Sequence, residues 1–236
     1  MRKFTKNVLL ILITLCMSIS LTACSNNNEE MVIKLVKGNI ASVYLGETDQ
    51  EYLDLVGETK AENEKIYLDG MRVEAEYFSI YWGIIDSSYG ESYDDLSSDL
   101  KSSIVELYKE IYSHTKYEVK SAAKQDNESY SVKVLVEPIN IMELASDVYE
   151  SGEYEPLNVF WTKYAETDFS TMTDEEYMNY TNEYGKVIVQ LVKDQLPNLG
   201  YLEQKSQSIQ VELVDDAWQI NGDDFNIFDS YVIFYP

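Results

Sequence analysis

Apolar residues recur along this chain first at helical spacing, then at alternate positions, and the same order is then repeated. Val32, Val36, Ile40 and Val43 fall on one helical stripe that Gly46 ends. A short helix is expected from Asp49 to Val56, stopped by Gly57, and a longer one from Lys60 to about Trp82 with Tyr67, Met71, Ala75, Phe78 and Trp82 on one face. Asp86 to Ser92 reads as a loop, and Ser92 with Asp95 as the capped start of a helix that turns Leu96, Leu100, Ile104, Leu107 and Ile111 inward. From Lys116 the period becomes two: Tyr117-Glu118-Val119-Lys120, a turn over 125–128, then Tyr130, Val132, Val134 and Val136 up to Pro138 predict a hairpin. Helices are expected again at 142–149, 156–165 and 174–196, the last opened by a Thr173/Glu176 capping box and closed by Pro197. Strands return at Ile209, Val211 and Leu213, with a turn at Asp215-Asp216 and a second strand at Trp218 to Ile220. An Asn221-Gly222 turn and a terminal strand over Tyr231 to Tyr235 complete the reading.

This pattern predicts an α+β fold, helices packed on one face of an antiparallel sheet to which both hairpins contribute. One domain over 31–236 is the expectation, since no Pro-, Gly- or Ser-rich linker interrupts it, and two subdomains meeting near 140 are the alternative.

The first 23 residues follow a different pattern. Arg2, Lys3 and Lys6 precede an apolar run from Val8 to Leu15 that is shorter than the roughly 20 residues a bilayer core requires, which marks an export signal. Leu21, Thr22 and Ala23 then lead into Cys24, and this spacing resembles the lipobox of bacterial lipoproteins. That resemblance implies transfer of a diacylglyceryl group, with acyl chains such as palmitate, to the Cys24 sulfur, followed by cleavage before Cys24. At roughly 0.8 kcal/mol per buried methylene, two or three chains hold a protein to a membrane essentially permanently. Ser25 to Glu30 is polar, so 24–30 reads as a tether. The expected location is the extracytoplasmic face of the cell membrane of a Gram-positive-type bacterium.

Charge and cysteine content narrow the chemistry. Without residues 1–23 the chain keeps 15 Lys and Arg against 42 Asp and Glu, a net −27, which repels nucleic acid and anionic headgroups. Cys16 lies in the leader and Cys24 in the lipobox, so no internal disulfide is expected and stability must come from the core. The single histidine, His114, sits at a helix end, where it complements the helix dipole, and no nucleophile elbow, zincin motif or phosphate loop is present.

Two inventories remain. Carboxylates are abundant, so a paired-acid glycan hydrolase stands as an alternative to a non-catalytic binding domain. Asp86, Ser88, Glu91, Asp94 and Asp95, and likewise Asp215, Asp216, Asn221, Asp223 and Asp224, are oxygen-rich loops of the type calcium takes, although neither has EF-hand spacing and acidic turns commonly serve only as turns. No other cofactor is expected. Tyrosine is the second excess, with 20 in the chain. Tyr77, Tyr81, Tyr89 and Tyr93, and Tyr177, Tyr180 and Tyr184, are the candidate platform for a peptide, glycan or protein partner, the alternative being rings half-buried along helix stripes.

The lipobox, the early helices, the strand at 117–120, Val132 to Val136 running into Glu137-Pro138-Ile139, and a late Trp-bearing hairpin together resemble the uncharacterised lipoproteins of Firmicutes, grouped as domains of unknown function. The order of elements is also similar to cystatin-like and nuclear-transport-factor-like folds, although the helical block at 141–196 fits those poorly. The family resemblance implies a compartment and no catalytic residues.

Overall fold

The computed structural model describes residues 25–125, 128–214 and 217–236. Helices α1 (Ser25–Ile40), α2 (Gln50–Val56), α3 (Lys60–Tyr81) and α4 (Ser98–Ser113) precede strands β1 (Lys116–Lys124) and β2 (Tyr130–Glu137). Helices α5 (Ile141–Ser151), α6 (Glu155–Tyr164) and α7 (Asp174–Gln195) follow, then β3 (Lys205–Val214), β4 (Ala217–Ile220) and α8 (Gly222–Val232). The fold is α+β, with a four-stranded antiparallel sheet made of two hairpins and helices packed on it. The chain forms two compact units: a sheet unit of residues up to Leu68, Ser113–Ile139 and Tyr201–Phe234, and a helical unit of Asp69–Tyr112, Asn140–Gly200 and Tyr235–Pro236.

In the sheet unit the strand order is β1-β2-β3-β4. Val134 lies opposite Val119 on one side and Gln207 on the other. The period-two pattern is realised in β2, where Tyr130, Val132, Val134 and Val136 are buried. A bulge between Val119 and Ser121 interrupts the alternation of β1. Helix α1 packs on β1 and β2, and α8 packs on β3 and β2.

The α1 stripe of Val32, Val36 and Ile40 is buried. Beyond Ile40 a π-turn over Ala41–Leu45 adds a residue to the turn, so Ser42 and Tyr44 face inward and Val43 does not. Gly46, at φ 65°, then closes the segment with a backbone conformation that other residues rarely adopt. At its other end α1 reaches back to Ser25, through the stretch read as a tether.

The chain end departs from the sequence reading. Asn221-Gly222 is a helix start: the Asn221 side chain accepts the Asp224 backbone N–H at 3.1 Å, and Phe225, Phe228 and Val232 are buried at helical spacing. The strand expected over 231–235 is therefore helix as far as Val232, followed by a single parallel bridge from Ile233 to Ile139. The cap and the i, i+3, i+7 stripe outweigh the β-propensity of the Tyr-Val-Ile-Phe-Tyr run.

In the helical unit α5 and α6 pack on α7. Its core takes Met71, Ala75, Phe78, Leu100, Ile104 and Leu107 from the predicted stripes, together with Ile188 and Leu191 of α7. The capping box at Thr173 and Glu176 is present in both directions. The helix expected to begin at Ser92 begins instead at Ser98: Ser92 caps only the 3-10 turn Tyr93–Asp95, Leu96 is extended, and the Ser97 hydroxyl accepts the Leu100 N–H at 3.3 Å. Burial of Leu96 inside that break anchors the loop.

Candidate functional site

The helical unit carries a linked set of aromatic rings on α6, the 3-10 turn Phe169–Thr171 and the first half of α7. Phe160 is its buried centre, with ring centroids 5.0 Å from Trp161, 5.0 Å from Tyr164, 5.2 Å from Tyr180 and 5.5 Å from Tyr184. Tyr180 extends the set to Phe169 at 4.9 Å and to Tyr177 at 6.2 Å. The outer members reach solvent: Trp161 is 41% exposed, Phe169 44% and Tyr177 36%. Rings braced from behind but open in front form a rigid platform, since little side-chain freedom is left to lose on binding. On α6 a shallow, open depression of about 470 Å³ lies among Glu153, Glu155, Asn158, Val159, Thr162 and Lys163.

Local sequence sets these positions. Pro156 in the first turn of α6 suits a helix start, where its missing N–H costs nothing. Asp168 accepts Ser170 N–H at 3.1 Å and Ser170 hydroxyl at 2.6 Å, which turns the chain and projects Phe169. The same bonds hold the Asp168 carboxyl below its ordinary range.

Charge along this stretch of chain is predominantly negative. Residues 141–183 hold 11 Asp and Glu and a single Lys, Lys163. Lys163 Nζ reaches both Glu183 oxygens, at 2.8 and 2.6 Å, and lies 5.0 Å from the Tyr164 ring centroid. Tyr164 donates its hydroxyl to the same carboxylate at 2.8 Å. Partial burial works to raise the Glu183 pKa, but the bonds from Lys163 and Tyr164 outweigh it and the carboxyl is held low. Tyr177 donates to Glu91 at 2.6 Å, and this bond, together with burial, pushes its hydroxyl up to about 12.

The predicted tyrosines are distributed unevenly. Tyr177 and Tyr180 lie together on the platform, whereas Tyr184 is buried behind it and donates to the Trp82 carbonyl at 3.0 Å. Tyr77 and Tyr81 stack at 6.3 Å, half-buried, and both meet Tyr235 edge-on. Tyr93 is buried, with Arg72 5.7 Å from its ring centroid, and burial raises its hydroxyl to about 12. Tyr89 closes the 3-10 turn Ser87–Tyr89, and its side chain lies outside the described residues. Phe160, Trp161, Tyr164 and Phe169 are not among the tyrosines that sequence spacing singles out: three are not tyrosine, and Tyr164 stands apart from the two tyrosine clusters along the chain. The signal was present in Phe160-Trp161, two adjacent rings in a segment otherwise dense in polar residues.

Several residues of the oxygen-rich loops are engaged in bonds of their own. Asp86 accepts from Ser88, Glu91 from the Asp86 N–H and Tyr177, and Asp94 pairs with Arg72 at 2.7 Å. Asp224 accepts the Gln210 N–H at 2.9 Å, while Asp215 and Asp216 lie outside the described residues. Among the described residues no group of three or more His, Cys, Asp or Glu side chains is disposed to hold a metal ion. His114 follows α4, with its carbonyl accepting the Tyr201 hydroxyl at 2.9 Å. The lipobox residues Leu21, Thr22, Ala23 and Cys24 lie outside the described residues, and among the described ones no helix is long and apolar enough to cross a membrane.

No protein-family model and no curated protein matches the chain. Among solved structures it is similar to a candidate lipoprotein, ycdA, from Bacillus subtilis subsp. subtilis str. 168, with a TM-score of 0.55 and 16% identity over 89% of this chain and 58% of that one. This chain thus spans less than two thirds of that protein's length, and the likeness is one of fold.

Proposed function

We propose that this chain is a lipid-anchored, extracytoplasmic binding protein of a Gram-positive-type bacterium, without catalysis of its own, that presents the aromatic platform of its helical unit to a partner. The observation that carries the binding role is the open front of the ring set: Trp161, Phe169 and Tyr177 stay exposed while their neighbours Phe160 and Tyr184 are buried. Exposed large rings linked through buried ones on a strongly acidic body are features that interaction sites share. The anchoring role rests on Leu21, Thr22 and Ala23 before Cys24, and the fold likeness to a candidate lipoprotein agrees with it.

Two measurements on intact cells test the two roles separately. Metabolic labelling with an alkyne analogue of palmitate is expected to mark the wild-type protein and not Cys24→Ala, which should leave the membrane or be misplaced; labelled Cys24→Ala would remove the anchor. Crosslinking should capture a molecule with the wild type and lose it with Trp161→Ala/Phe169→Ala. Capture unchanged by that pair would remove the platform from the assignment.

A further inference from the structure

We propose that the platform takes a cationic polypeptide segment, its Arg and Lys side chains lying over the exposed rings and pairing with the carboxylates around them. This rests on the reading of the platform as a binding face and names the chemistry of its occupant.

The protein already shows the arrangement with its own cations. Lys163 is held between the Tyr164 ring, at 5.0 Å, and the Glu183 carboxylate, at 2.6 Å. Arg72 repeats it between the Tyr93 ring, at 5.7 Å, and Asp94, at 2.7 Å. In both, the face of a ring and an anion attract the same cation. The outer rings Trp161, Phe169 and Tyr177 have carboxylates close by in sequence and, among the described residues, no such cation. Glu166 falls between Tyr164 and Phe169, and Asp174 is three residues before Tyr177 on α7, hence on the same side of that helix. Glu166, Asp174 and Glu175 are exposed and engage no partner among the described residues. With Lys163 already committed to Glu183, these sites are open to a cation from another molecule.

Other occupants fit less well. A second copy would bring a body of net charge −27 against one of the same sign, and anionic polymers or headgroups would be repelled in the same way. A neutral glycan could stack on the rings but would leave the carboxylates unused. A cationic segment uses both features, and its approach is accelerated by the field.

Hexa-arginine is the probe, with hexaglutamate and the neutral sugar chitohexaose beside it, titrated calorimetrically into the purified full chain. Hexa-arginine should bind, and binding should weaken about tenfold both in Trp161→Ala/Phe169→Ala and in Glu166→Gln/Asp174→Asn/Glu175→Gln. Glu30→Gln/Glu64→Gln/Glu212→Gln removes the same charge from residues outside the platform, and recognition by the platform's own carboxylates predicts a change of less than about twofold. Equal weakening by that control would show diffuse attraction and overturn the proposal, as would binding of hexa-arginine indifferent to the ring pair. If chitohexaose alone binds, and loses affinity in the ring pair, the platform stands and the cationic occupant is wrong. If neither probe responds to the ring pair, the platform itself fails with it.

Discussion

The two units each contain a cluster of aromatic rings, and they use it differently. In the sheet unit Tyr44 lies 6.3 Å from Phe225 and 6.1 Å from Phe228; all three are buried, and the Tyr44 hydroxyl is tied to buried Asp229 at 2.8 Å. In the helical unit Phe160 is as deeply placed, yet the rings it supports emerge at the surface. The charges differ in the same sense. Residues 113–139 of the sheet unit interleave four Lys with four Asp and Glu, whereas 141–183 carry eleven acids and one Lys. Burying a large apolar side chain contributes about 1.5–3 kcal/mol, and rings left open forfeit part of that. The closed cluster stabilises its unit, and the open one leaves ring surface for the contact proposed above.

The comparison breaks most readily at the cores. Phe228→Ala should cost about 3–5 kcal/mol of stability in urea unfolding, while Trp161→Ala, at a half-exposed ring, should cost about 1 kcal/mol and act mainly on binding. Similar losses for both would mean that the platform is structural. Glycine contacts sharpen the contrast. A Cβ at Gly38 in the sheet unit would run into Cβ and Cγ of Tyr52, whose ring root cannot move without its helix. At Gly185 in the helical unit it would come within 2.6 Å of a Leu100 methyl, the far end of a side chain that can rotate. Gly38→Ala is therefore expected to cost about 1–3 kcal/mol and Gly185→Ala the smaller share of that range, read from the shift in urea midpoint. The reverse order would show that the Tyr52 side yields more easily than its geometry implies.

Much of the fold was legible in sequence because it is local. The helix stripes, the Val132 to Val136 alternation, Gly46, Gly57 and the Thr173 box each act within a few residues. What was missed depended on competition between local signals. The spacing of Ser92 to Asp95 matches a cap for α4, but the Ser97 hydroxyl takes the Leu100 N–H and the helix starts after it, while Ser92 caps only the 3-10 turn. Tyr231 to Tyr235 has strong β-propensity, yet Asn221 and the Phe225/Phe228/Val232 stripe had already committed the segment to a helix. At the candidate site, sequence found Tyr177 and Tyr180 but not Phe160 or Trp161, since which ring is buried and which exposed is decided by how α6 lies on α7. The division of the chain into units is likewise a product of long-range pairing, since both units are discontinuous in sequence.

Smaller effects are expected at two matched capping boxes, one in each unit. Thr59 and Glu62 open α3 as Thr173 and Glu176 open α7: each glutamate accepts the threonine backbone N–H, at 2.8 and 2.9 Å, and each threonine hydroxyl accepts the glutamate N–H, at 3.3 and 3.2 Å. Thr59→Ala and Thr173→Ala should each cost about 1 kcal/mol. Acid tests the glutamate of each box. Those backbone bonds hold both carboxyls below their ordinary value of 4.5, so the stability they confer is present above that pH and is lost as pH falls through the lower folded value. On acidification from pH 6 to pH 3, amide exchange in the first turn should therefore accelerate in both α3 and α7. Glu176→Gln, whose amide oxygen can still accept but does not titrate, should flatten that rise in α7 and leave it unchanged in α3. A Glu176→Gln profile identical to wild type would show that the Glu176 carboxyl does not set the response of the α7 start to acid.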